Sequence, residues 1–158
     1  MTRPNWDEYF MAMAYVASAR SHDRDTRHGA VVVNTRRHII GTGYNGYPPG
    51  SPDGLLPDTR PAKYARIVHA EANAILNTEG DRAGATLYVT GCPCPACMNL
   101  IVAAGIKRVV IGLIESACVD DAERMTTEVI ARDCGMQLVR LDTNVGAIVS
   151  AALLAKGR

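Results

Sequence analysis

Two short segments, His69-Ala70-Glu71 and Pro93-Cys94-Pro95-Ala96-Cys97, constrain this chain more than anything else in it. Between them they hold one imidazole, two thiols and one carboxylate. Each opens an apolar stretch that reads as a helix, about His69 to Asn77 and Cys94 to Ala104, and Thr86 to Thr90 between them reads as a strand. One nitrogen and two sulfur donors hold a metal only if they converge, so the two helix starts must face each other. Cys94 and Cys97 are three apart and share a helical face near a helix N-terminus, where partial positive charge favours thiolate. Pro93 would set up that first turn, where a missing N–H costs nothing. Glu71 lies about 200° around an ideal helix from His69, so His69 is expected at or just before the first turn.

The rest of the chain reads as alternating elements. Asn5 to Ala19 is an amphipathic helix, with Trp6, Tyr9/Phe10, Met13 and Val16/Ala17 on one stripe and Asn5 and Glu8 as a capping box. Ser21 to His28 is a polar loop. Ala30-Val31-Val32-Val33 and His38 to Tyr44 form a hairpin through Asn34–Arg37. Seventeen residues from Asn45 to Pro61 are dense in Gly, Pro and Asp, an aperiodic length more typical of functional loops than of plain connectors. After the two motif helices, with Gly105 as a C-terminal cap, come strand Arg108 to Gly112, helix Asp121 to Asp133, strand Gln137 to Leu141 and helix Val145 to Ala155. A hairpin followed by alternation predicts an α/β fold: an α/β/α sandwich on a mixed five-stranded sheet, its later strands parallel.

With 158 residues the chain fits one domain, 1–158, large enough for a core without disulfides. Of its five cysteines three fall within six positions, a poor disulfide framework and a good metal cluster. A net charge of +1 argues against a polynucleotide partner, which calls for a basic stripe, and favours small ligands. No apolar run approaches the length of a membrane span, and the N-terminus lacks a signal-peptide core, so no membrane partner and a cytoplasmic location are expected.

Together the segments fit H-x-E…P-C-x-x-C, the pattern of zinc-dependent nucleobase deaminases. His69, Cys94 and Cys97 are the expected ligands of one Zn²⁺ per chain, three in number so that the fourth position serves water. Zinc lowers the pKa of that water from about 15.7 towards neutrality, and Glu71 is the expected carrier of its proton. A closed structural zinc site is the alternative, with Cys92 as fourth ligand, but it leaves Glu71 without a role.

The chain resembles deoxycytidylate (dCMP) deaminases of the cytidine deaminase superfamily from about Trp6 to Leu141. The resemblance rests on Trp6-Asp7-Glu8-Tyr9-Phe10-Met11, Gly29-Ala30-Val31-Val32-Val33, Gly43-Tyr44-Asn45-Gly46-Tyr47-Pro48-Pro49-Gly50, both zinc segments and Ala104-Gly105-Ile106-Lys107. It implies a cytidine-deaminase-like fold, deamination of dCMP to dUMP feeding dTMP synthesis, and a homo-hexamer activated by dCTP and inhibited by dTTP. Mg²⁺ would accompany the triphosphate effector. It further implies that Asn45 meets the nucleotide sugar and Ala70 offers backbone contacts to the base. The loop containing Tyr44, Gly46 and Gly50 serves effector binding or the site wall, its glycines bringing N–H groups near phosphate. Arg27 is the expected phosphate partner, with Arg20, Arg24, Arg60, Lys63 and Arg66 competing. Two departures stand out. Ser51 to Val68 holds no Cys or His for a second zinc, and Glu115 to Asp120 holds no aromatic residue. Competing readings are a tRNA adenosine deaminase, which needs a basic surface; a free cytidine or guanine deaminase; and a non-enzymatic zinc module. A riboflavin-pathway deaminase has a longer cysteine spacing.

Overall fold

The computed structural model describes residues 3–51, 57, 59, 61–115 and 119–154. Its elements run in the order α1 (Trp6–Ser18), β1 (Gly29–Val33), β2 (Ile39–Tyr44), α2 (Ala70–Leu76), β3 (Thr86–Gly91), α3 (Pro95–Ala103), β4 (Arg108–Ile114), α4 (Asp121–Asp133), β5 (Gln137–Arg140) and α5 (Val145–Leu154). The sheet order is β2-β1-β3-β4-β5. β1 is antiparallel to both neighbours, whereas β3, β4 and β5 are mutually parallel. This is the expected mixed five-stranded α/β/α sandwich. No helix among the described residues is long and apolar enough to cross a membrane.

Burial explains the layering. One face of the sheet packs Val31, Val33, Tyr88 and Val110 against Phe10, Met11 and Ala14 of α1, with Val145 of α5 at the edge. The other packs Val32, Leu87, Val89, Val109 and Ile111 against Ala74 and Ile75 of α2, Met98 and Ile101 of α3 and Ala131 of α4. The interior strand β1 is buried along its whole length because both its faces are covered, which is why it reads as a continuous apolar run. One charged clamp crosses the α1 face: Arg108 donates to both Asp7 oxygens at 2.8 and 2.7 Å, and Tyr88 donates its hydroxyl to the same carboxylate at 2.8 Å.

The helix ends follow local chemistry. Asn5 and Glu8 form the capping box of α1, and Asp120 and Glu123 repeat it on α4. Gly105, at φ 80°, follows the last residues of α3 in the left-handed region. In the hairpin turn Asn34 Oδ1 accepts from the N–H groups of Arg36 and His38 at 3.0 and 2.9 Å.

The start of α3 differs from expectation. Pro95, not Pro93, occupies the first helical position, and Cys94 is the N-cap with extended backbone at ψ 164°. A proline bars the residue before it from helical geometry, so Cys94 stands outside the helix rather than on a common face with Cys97.

Glycines in β2 set the height of α2. A Cβ on Gly43 would lie 2.2 Å from Ala74 N and 2.5 Å from Ala70 O, and one on Gly41 would lie 2.5 Å from Ala74 O. The helix therefore rests backbone to backbone on the strand, closer than any side chain permits. Its first residues, which carry the site, are placed by that contact.

Candidate active site

His69 is the N-cap of α2, extended at φ −70° and ψ 156°, and Cys94 is the N-cap of α3. Neither makes a side-chain cap bond, unlike Asn5 and Asp120. Two helix starts thus forgo a cap worth about 1 kcal/mol each and turn those side chains to another use. His69 Nδ1 lies 3.6 Å from Cys94 Sγ and 3.4 Å from Cys97 Sγ. All three donor atoms fall within 4.8 Å of one another.

The donor set fits zinc. Tetrahedral coordination with Zn–S of about 2.3 Å and Zn–N of about 2.0–2.1 Å implies N···S edges of about 3.5 Å, the spacing seen here. Among the described residues Cys92 is not part of this cluster; its Sγ donates to the Pro93 carbonyl at 3.6 Å, and burial pushes its thiol up. The Cys94 thiol is instead drawn down to about 4, first by its hydrogen bond with Cys97 and then by His69, against the cost of burial. His69 is correspondingly raised, chiefly through Cys94. Thiolates are what a metal takes.

Glu71 lies outside the donor cluster but lines the same cleft as His69 and Cys94. It is 5% exposed, and burial pushes its carboxyl up to about 7. Ala70 is fully buried beside it at the first position of α2, its N–H among those without an intrahelical acceptor.

Asn45 also lines the cleft, but much of its amide is already engaged. Oδ1 accepts the His28 N–H at 2.7 Å, while Nδ2 donates to the Thr26 carbonyl at 3.0 Å and to Asp23 Oδ2 at 3.3 Å. Arg27 is exposed, does not line the cleft, and donates Nε to the Asp23 carbonyl at 3.2 Å. Arg20 and Arg66 are exposed as well, and Arg60 lies outside the described residues, as does Cys118. Lys63 does line the cleft, yet its ammonium is matched by Asp23 and Asp25, each at 2.7 Å. Burial lowers the Lys63 pKa, but those two hydrogen bonds outweigh it and hold it raised.

In the glycine-rich loop Gly46 exchanges both backbone bonds with Val68, its N–H donating at 3.1 Å. Gly50, at φ 87°, is the third residue of a turn closed by Ser51 N–H to Pro48 O at 3.1 Å, a type II turn with Pro49 second. Tyr44 gives its carbonyl to Asn73 Nδ2 at 2.8 Å. Of the Glu115 to Asp120 segment, residues 116–118 lie outside the described ones, and Val119 lines the cleft.

Residues not anticipated as site members also line the cleft: Asp23, Asp25, Thr26, His28 and Gly91. In sequence the polar run from Ser21 to His28 carried no period and looked like any solvated loop. Its one readable signal was a histidine placed directly before a buried strand.

Residues 4–113 match the family described as "Cytidine and deoxycytidylate deaminase zinc-binding region". The chain belongs to this family. It is 48% identical over 124 residues to the deoxycytidylate deaminase of Mycobacterium phage D29, covering 70% of this chain and 96% of that one. It is 46% identical over 112 residues to the deoxycytidylate deaminase of Mus musculus, covering 66% of this chain and 63% of that one. The chain thus spans under two thirds of the mouse relative's length. Among solved structures, the dCMP deaminase of cyanophage S-TIM5 in complex with dCMP and dUMP superposes with a TM-score of 0.70 at 27% identity. That match covers 89% of this chain and all of that one. The zinc-binding description agrees with the His69, Cys94 and Cys97 cluster.

Proposed function

We propose that this chain hydrolyses the exocyclic amine of dCMP, giving dUMP and ammonia. The observation that carries the reading is a donor triangle of His69, Cys94 and Cys97 sharing one cleft with a buried carboxyl, Glu71, poised near neutrality. The phage D29 and S-TIM5 relatives, named for the same substrate, support it.

His69, Cys94 and Cys97 hold one Zn²⁺ per chain. When bound, zinc supplies Lewis acidity that brings water within reach of deprotonation at neutral pH. Glu71 does the proton work: a carboxyl near 7 both accepts and returns a proton at physiological pH. It takes one proton from the attacking water and places it on the ring nitrogen beside the amine, then takes the remaining proton of the added hydroxyl and hands it to the amine, which departs as ammonia. Its burial keeps bulk water from exchanging that proton. Ala70 offers its N–H to the base. Asn45, held rigid by His28, Thr26 and Asp23, keeps an Oδ1 lone pair for a sugar hydroxyl. Arg27 is assigned to the phosphate.

The same reading places regulation at the Tyr44, Gly46 and Gly50 loop, with dCTP activating and dTTP inhibiting, Mg²⁺ accompanying the triphosphate. Residues 1–158 act as one catalytic domain, six copies assemble, and the enzyme supplies dUMP for dTMP synthesis in the cytoplasm.

Zinc-loaded protein incubated separately with dCMP, dCTP, cytidine, guanine and adenosine-containing tRNA tests the substrate. Ammonia from dCMP supports the assignment; ammonia from another compound and none from dCMP overturns it. Rate curves against dCMP with added dCTP or dTTP test regulation, and unchanged curves remove that part alone.

A further inference from the structure

His28 borders the cleft together with His69, Glu71 and Cys94. Its backbone is clamped by Asn45: the His28 N–H donates to Asn45 Oδ1 at 2.7 Å, and its carbonyl accepts the Asn45 N–H at 3.1 Å. The ring is held as well. Nδ1 lies 3.3 Å from Thr90 Oγ1, and Gly91 backs the ring so closely that a Cβ there would stand 2.5 Å from Cε1.

The tautomer follows from Thr90. That residue is fully buried, and its Oγ1 already accepts the Gly29 N–H at 3.1 Å. The hydroxyl hydrogen needs an acceptor of its own, and among the described residues His28 Nδ1 is the one within reach, so Nδ1 is assigned as the acceptor. Burial depresses the His28 pKa and keeps the imidazole neutral. The single ring proton therefore sits on Nε2. Among the described residues Nε2 is the only buried side-chain nitrogen or oxygen without a protein partner. Buried donors are almost always satisfied, and this one belongs to a rigidly held ring on the wall of a ligand cleft.

We propose that His28 is a substrate-contacting residue whose Nε2–H donates to an uncharged oxygen of the bound nucleoside, the ring carbonyl or the sugar 3′-hydroxyl. A neutral donor suits an uncharged acceptor; a phosphate would call for a cation, and the nearby Lys63 is matched by carboxylates. The inference rests on the reading that the cleft takes a cytosine nucleotide.

Two measurements on zinc-loaded protein test it. With ¹⁵N-labelled histidine, the His28 resonances report a protonated Nε2 and a bare Nδ1, and both the Nε2 nitrogen and its proton shift when dUMP saturates the protein. In kinetics, His28→Leu raises KM for dCMP about tenfold with kcat within about twofold, and His28→Gln, which retains a donor, recovers most of the loss. With 2′,3′-dideoxycytidine monophosphate, a wild-type to Leu ratio near one assigns the acceptor to the 3′-hydroxyl, and a persisting ratio assigns it to the ring carbonyl. A proton on Nδ1, no shift on saturation with dUMP, or an unchanged KM overturns the proposal. If the Leu variant does not fold, the wild-type titration decides. Active wild-type protein with an indifferent His28 sinks this inference alone; wild-type protein that neither binds dUMP nor deaminates dCMP sinks the substrate assignment and this inference with it.

Discussion

Replacing Gly43 by alanine is a one-carbon change about which the structure is unusually specific. The new Cβ would lie 2.2 Å from Ala74 N, 2.5 Å from Ala70 O and 2.8 Å from the Asn73 carbonyl carbon, all backbone of α2. No flexible side-chain tip is available to yield, so the helix itself must retreat by about 1 Å to restore ordinary contact. Overpacking of this kind costs about 1–3 kcal/mol. For a chain of this size each kcal/mol lowers Tm by about 2–4 °C, so a drop of about 2–12 °C is expected. The displaced helix carries His69 at its N-cap and Glu71 in its first turn. A shift of about 1 Å in reacting groups costs on the order of 10²-fold in turnover. Thermal unfolding of zinc-loaded Gly43→Ala and its steady-state rate on dCMP supply both readouts. Gly46→Ala is the stability control: its Cβ meets nothing nearer than the Tyr44 ring at 3.7 Å, and its Tm is expected to stay within about 2 °C of wild type. A Gly43→Ala protein melting within 1 °C of wild type, with an unaltered rate, would refute the claim that backbone contact between β2 and α2 sets the site.

Glu71→Gln is expected to keep a full zinc complement, read by metal analysis, while dCMP turnover falls by about 10²–10⁴-fold. Cys94→Ala should lose zinc on dialysis and Cys92→Ala should retain it, since only the first belongs to the donor triangle; equal losses would point to a closed four-ligand site. Acid stability provides a test away from the cleft. The Arg108 guanidinium, aided by Tyr88 and opposed by burial, holds the Asp7 carboxyl below its ordinary range. A folded pKa below the unfolded one means that the contribution is complete above about pH 4 and disappears as pH falls through the lower, folded value. Urea unfolding from pH 7 down to pH 2 should therefore show a shallower acid limb in Asp7→Asn than in wild type, and parallel limbs would count against this clamp.

Features settled within a few residues of one another were legible from the amino-acid order. The Asn5–Glu8 capping box, the Asn34–Arg37 turn, the Gly105 stop and the register of each helix and strand depend on local propensity and apolar period. That the two donor segments converge was legible too, because a metal-binding spacing carries its own chemistry. The start of α3 at Pro95 rather than Pro93 is local as well, since Pro95 bars Cys94 from helical geometry and a helix opening at Pro93 could not continue through it.

Contacts between segments distant along the chain belonged to the tertiary structure alone. Asp23 meets Lys63 forty positions away, Thr90 meets His28 across sixty-two, and Arg108 reaches Asp7 across one hundred and one. None leaves a periodic trace, because each depends on which strands become neighbours in the sheet, and that order is decided by how the two apolar faces are jointly covered. The amino-acid order determined that one imidazole, two thiols and one acid would be presented at two helix starts. Folding decided how far apart they stand, how dry Glu71 becomes, and that the ring of His28 borders the same cleft, because distance and dehydration are properties of the packed assembly and not of any one segment.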